Sequence, residues 1–101
     1  MRIVIDRSYD RIELREPDEF SRFSVVVEGS GPDPLAEVVA RAGLGRLSDD
    51  GQHVVVDPVA LRALAGDAAT PAWDEGFAAM VSYAAGKGWV EADGGIQAHI
   101  E

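Results

Sequence analysis

A single α+β domain over residues 1–101 is what this chain predicts, and three observations carry it. Runs of strict in–out alternation occur near both ends. An Asp-Pro or Thr-Pro helix start recurs three times, each with a glycine stop behind it. No Ser- or Pro-rich linker and no fixed-period repeat divides the chain, so strands and helices belong to one unit. At 101 residues the chain can bury one core and not two.

The elements follow in order. Ile3 and Ile5 are apolar before Asp6-Arg7, and Arg11-Ile12-Glu13-Leu14-Arg15 alternates strictly. With Ser8-Tyr9-Asp10 as the turn, this reads as an N-terminal hairpin. Pro17-Asp18-Glu19-Phe20 is a helical turn or a loop, and Phe23–Glu28 is a β-branched strand closed by Gly29. Asp33-Pro34, Asp57-Pro58 and Thr70-Pro71 then open three helices. The side-chain oxygen accepts from an orphan N–H, and proline at the first helical position has no N–H to lose. Gly43, Gly66 and either Gly86 or Gly88 supply the left-handed stops.

The first helix, about 34–42, presents Leu35, Val38, Val39 and Ala42 to the core, with Glu37 and Arg41 paired on the wet side. A second hairpin joins Arg46–Ser48 to Gln52–Val56 across Asp49-Asp50-Gly51. The second helix is short and buries Leu61, Leu64 and Ala65. The third, about 71–86, stacks Trp73, Phe77, Met80, Val81 and Ala84 at steps of three and four. Asp74 and Glu75 in its first turn and Lys87 at its end match the helix dipole. A final hairpin turns at Asp93-Gly94-Gly95. Its alternation puts Val90, Ala92, Ile96, Ala98 and Ile100 on the core side, and Trp89, Glu91, Gln97, His99 and Glu101 on the other. The last run alternates up to Glu101, so the C-terminal strand is expected to be an open edge able to pair with a second copy.

Composition bounds the function. The chain is 47% hydrophobic and 27% charged, as in ordinary globular proteins. No apolar run approaches the roughly 20 residues that span a bilayer, and no basic segment leads into an apolar signal region. The chain has no cysteine, so disulfides and zinc–thiolate sites are excluded and a cytoplasmic location is expected. Eighteen acidic side chains against nine basic ones leave a net charge of −9. Such a surface repels phosphate backbones and favours basic protein partners.

From Leu35 onward the order helix, strands, helix, helix, strand, turn, strand resembles a winged helix, with Trp73–Gly86 in the place of the recognition helix and Asp93-Gly94-Gly95 as the wing. The resemblance covers 33–101 and is one of element order. It implies a transcription regulator, yet that helix offers Asp74, Glu75 and Ser82 where a DNA reader needs cations. A basic face would have to be assembled from Arg41, Arg46 and Arg62.

Glu28-Gly29-Ser30-Gly31-Pro32-Asp33-Pro34 joins a strand to a helix as phosphate cradles do. Its prolines lack donors, however, and Asp33 would repel an anion, so no cofactor is expected. His53 and His99 are the only histidines. Asp49-Asp50-Gly51-Gln52-His53 matches no calcium loop or zinc spacing, so no metal site is expected. There is no nucleophile elbow and no cysteine nucleophile.

The positive signal is Trp89, flanked on its strand face by Glu91, Gln97 and His99. Tryptophan is enriched at binding hot spots. The reading is therefore a non-catalytic, acidic protein-interaction module of the adaptor, inhibitor or regulatory kind, which binds a protein partner through these four residues. The alternatives are the winged-helix regulator and a small-molecule-binding or enzymatic domain with a pocket lined by Trp73, Tyr83 or Tyr9.

Overall fold

In the computed structural model, which describes all of residues 1–101, the alternating runs become β1 (Arg2–Asp6), β2 (Arg11–Arg15), β3 (Ser24–Glu28), β4 (Gly45–Leu47), β5 (His53–Val56) and β6 (Ile96–Ile100). The helices are α1 (Leu35–Arg41), α2 (Pro58–Ala65) and α3 (Pro71–Gly86), with a 3-10 turn at Gly66–Ala68. All six strands form one mixed sheet in the order β2-β1-β3-β6-β5-β4. The Cα radius of gyration is 12.9 Å, close to the ~13 Å of a single domain of about 100 residues. No helix is long and apolar enough to cross a membrane.

The alternation decides which face is buried. Ile3 and Ile5, Val25, Ala98, and Val54 and Val56 form one cluster with Val38 and Val39 of α1, Leu61 of α2, and Trp73 and Met80 of α3. The helices thus share one side of the sheet. The opposite side carries Arg11, Glu13 and Arg15, then Arg2, Val4 and Asp6, and across β6 and β5 the residues Gln97, His99, His53 and Val55. Val4 and Val55 are nonetheless buried there. Val4 lies among the charged side chains of Arg11, Glu13, Arg15 and Glu28, whose aliphatic stems cover it. Over Val55 the backbone comes so close that a Cβ on Gly95 would stand 2.5 Å from Val55 Cγ1.

The first two hairpins and the three helices stand where the sequence places them, with five corrections. First, β1–β3 and β3–β6 are parallel pairs, so the sheet is mixed rather than built from hairpins alone. Second, β6 is interior: it pairs with β5 along His53–Val56 and with β3 at Ser24 and Val25. The open C-terminal edge, and the dimer expected through it, therefore do not hold. The edges are β2, guarded by alternating Arg and Glu, and the three-residue β4. Third, the arm before the last turn is one bridge, Val90↔Ile96, rather than a strand. With that arm reduced to a bridge, the winged-helix order lacks its penultimate strand, and its last strand is built into a sheet that runs on to β1 and β2.

Fourth, Asp57 and Thr70 cap their helices by accepting from Val59 N and Trp73 N, whereas Asp33 caps nothing. Pro34 takes the N-cap position, and the Asp33 carboxylate instead accepts from Arg41 Nη1 at 3.0 Å. Arg41 bonds Asp10 as well, at 2.8 Å, so it does not form the expected pair with Glu37. Because the helix begins one residue later than the Asp-Pro signal implies, Asp33 lies outside the cap position and its carboxylate serves the guanidinium instead. Fifth, Ala42 is exposed, and the buried side chain there belongs to Leu44.

Candidate functional site

The C-terminal end of α3 positions the aromatic residues. Its start is fixed from two sides, by the Thr70 cap and by Trp73, whose Nε1 donates to Pro17 O at 2.9 Å. Trp73 is 2% exposed and stacks on Phe77 with ring centroids 5.0 Å apart. The helix ends in a Schellman motif. Gly88 takes a φ of +80°, Trp89 N donates to Ala84 O at 2.9 Å, and Gly88 N donates to Ala85 O at 3.1 Å. This motif brings the residue after the glycine back onto the last turn. Trp89 accordingly meets Tyr83 edge-on, centroids 6.2 Å apart, and Lys87 Nζ stands 5.5 Å from the Tyr83 ring centre.

Both aromatics remain open to solvent, Tyr83 at 62% and Trp89 at 46%. Beside them runs a shallow groove of about 100 Å³, walled by Phe20, Phe23, Met80, Ala84 and Ile96, with Ser21 and Gln97 as its polar positions. Glu91 accepts from Gln97 Nε2 at 3.3 Å and lies 3.6 Å from Arg46 Nη2, so its charge is already partly matched. His99 points elsewhere. It faces His53 across the β5–β6 pair, centroids 5.6 Å apart. Of the four residues named from sequence, Trp89, Glu91 and Gln97 share one corner of the molecule. His99 is two positions along the same strand face as Gln97 and belongs to a separate contact. The two phenylalanines of the 20–23 segment were missed, and Tyr83, named only for the alternative small-molecule pocket, belongs here beside Trp89. Gly88-Trp89 was the usable signal for Tyr83, since an apolar residue after a C-terminal glycine packs on the helix's last turn.

The other expected constellations do not assemble. Trp73 is a core residue with its N–H satisfied, Tyr83 lies at the end of α3, and Tyr9 is 77% exposed in the β1–β2 turn. The three therefore line no common pocket. The largest apolar depression, about 380 Å³ between β2, α1 and α2, is lined by Ile12, Ala42, Leu44, Ala60, Ala63 and Leu64, with Asp10 its one polar group. A basic face is not formed either: Arg41 is bound by Asp10 and Asp33, Arg46 stands by Glu91, and Arg62 is clamped by Asp74.

Every carboxyl group with a shifted titration is shifted down. A hydrogen bond from the Ser21 hydroxyl holds Glu19 low, one from the Ser48 hydroxyl does so for Asp50, and the Arg62 guanidinium does so for Asp74. A general acid at neutral pH needs the opposite shift. No protein-family model, curated protein or solved structure matches the chain, so its function is read from its own side chains.

Proposed function

We propose that the chain is a non-catalytic, acidic protein-interaction module that docks its partner on the Tyr83–Trp89 corner, with Glu91 and Gln97 as the polar rim and His99 further along the strand. One observation carries the reading: two large aromatic side chains sit side by side, 62% and 46% exposed, over an apolar groove. Rigid aromatic anchors beside a small apolar pocket, rimmed by amides and acids, are the anatomy of an interface hot spot. The net charge of −9 selects a partner with a basic surface, which it would draw in by long-range attraction. The lack of cysteine suits a reducing compartment such as the cytoplasm.

The test is capture of a near-stoichiometric protein by the tagged chain from native lysate, with and without nuclease, followed by affinity measurement on the purified pair. Trp89→Ala is expected to weaken binding by about thirtyfold, the effect of losing a hot-spot side chain worth ~2 kcal/mol, while thermal unfolding stays cooperative. Binding that is unchanged by this substitution, or a variant that no longer folds, refutes the assignment. Capture abolished by nuclease would point to a nucleic-acid reader instead.

A further inference from the structure

The two histidines of this chain, far apart in sequence, lie directly opposite each other on the sheet's helix-free face, at the start of β5 and near the end of β6. We propose that His53 and His99 form a two-imidazole site for a divalent d-block cation of tetrahedral preference, with zinc as the type. A zinc–imidazole nitrogen bond is about 2.1 Å long, and the ring centre lies about 1.2 Å behind that nitrogen, so each ring centre sits about 3.3 Å from the metal. Two such rings at the tetrahedral angle have their centres about 5.4 Å apart. The observed separation is 5.6 Å, with the ring planes 66° apart in an edge arrangement, so the spacing already matches and the side-chain torsions would direct one nitrogen of each ring to a common point.

The supporting shell is already in place. His53–Val56 pairs with Ile96–His99 rung by rung, which holds both backbones rigid as a preorganised site requires. His53 N donates to Ser48 Oγ at 3.1 Å. Asp50 Oδ1 stands 3.8 Å from His53 Nδ1, an ionic neighbour rather than a hydrogen-bond partner. That carboxylate is fixed by bonds from Ser48 Oγ at 2.6 Å and Gln52 N at 3.0 Å. A small turn of the ring would let Nδ1 donate to this carboxylate, the outer-shell bond found behind a ligating histidine, and leave Nε2 of His53 for the metal. No cluster of three or more candidate ligand side chains exists in the fold, so water fills the remaining positions on this open face. No thiolate competes for the metal, and imidazoles without carboxylate ligands favour zinc and copper over magnesium or calcium.

The experiment is a zinc titration of the whole protein, followed by proton NMR of its two imidazole Cε1–H signals and by calorimetry. Both signals are expected to move together and to saturate at one equivalent. His53→Gln and His99→Gln should each weaken zinc binding at least tenfold, and Asp50→Asn by about tenfold. Copper, nickel and cobalt should bind with affinity falling in that order, while magnesium and calcium leave the signals unmoved. His99 is exposed, so His99→Gln keeps the test valid even if His53→Gln misfolds. The proposal is overturned if the two signals respond at different zinc concentrations, if neither moves by millimolar zinc, or if a single-histidine variant binds as the wild type does. An unchanged affinity in Asp50→Asn removes Asp50 from the site.

Discussion

Gly76 sits in the middle of α3, where glycine is the poorest helix former after proline, and its replacement by alanine tests whether tertiary packing overrides that propensity. On propensity alone, Gly76→Ala should stabilise the helix by about 1 kcal/mol. The structure argues the reverse. A Cβ built on Gly76 would lie 2.4, 2.8 and 2.8 Å from three ring atoms of Phe20, where carbon contacts are normally about 3.5–4.0 Å. The ring must therefore retreat by about 1 Å, and it is not free to do so. Phe20 packs against Trp73 at 6.1 Å. Its segment is tied down by Trp73 Nε1 on Pro17 O at 2.9 Å, and by the Met1 amine on Glu19 O at 2.6 Å and on Arg22 O at 3.0 Å. Overpacking of this kind costs about 1–3 kcal/mol. The net expectation for Gly76→Ala is a loss of about 1 kcal/mol, or roughly 4–8 °C in Tm for a domain of this size. In a Phe20→Ala background the obstacle is gone, and the same substitution should raise Tm by a similar amount. Thermal unfolding of the four proteins of this cycle, followed by circular dichroism, measures a coupling of about 2 kcal/mol. If Gly76→Ala is stabilising in the wild-type background, or shifts Tm equally in both, the Phe20 contact does not constrain the helix and the reasoning fails.

Two further predictions concern stability. Asp57→Ala and Thr70→Ala should each lower stability by about 1 kcal/mol through loss of a helix cap. Asp33→Ala, despite its similar Asp-Pro setting, removes only an exposed bond to Arg41 and should cost about half that or less; denaturant unfolding separates the two cases, and an equal loss at all three would contradict the capping geometry. Arg62 grips Asp74 through Nε and Nη2 at 2.9 and 3.0 Å and holds its carboxyl below the usual 3.8. A carboxylate depressed in the native state contributes stability that is complete above pH 3.8 and is lost as pH falls through the lower native value. Asp74→Asn should therefore flatten the acid limb of a Tm-against-pH profile, and an acid limb identical to the wild type's would show that the pair contributes nothing in solution.

The legible parts of this protein are those written within a few residues. The Asp57 and Thr70 caps, the left-handed glycines 43, 66 and 88, and the inward sets of β1, β2 and β6 all follow from spacing and side-chain chemistry. Trp89 was identified as a candidate because it alternates with the core residues of its hairpin, and the glycine before it explains its contact with Tyr83. The groove beside it was not legible, because Phe20 and Phe23 come from a loop whose path is set by bonds from Trp73 and the Met1 amine. Asp33 misled for a related reason: α1 begins one residue later than the Asp-Pro signal implies, and Arg41, which also binds Asp10, reaches the Asp33 carboxylate only in the folded chain.

The sequence by itself determined the α+β class, the three helices with the caps of α2 and α3, and the buried faces of β1, β2 and β6, since helix and strand periods, caps and turns are short-range properties. Only the tertiary structure decided that β6 lies between β3 and β5, that two of the strand pairs are parallel, and that His53 stands opposite His99. Strand pairing joins backbone groups that every residue carries, so alternation marks which face of a strand is buried without naming its neighbour. The choice of neighbour rests on how α1, α2 and α3 together cover one side of the sheet, and that packing exists only once the whole chain has closed.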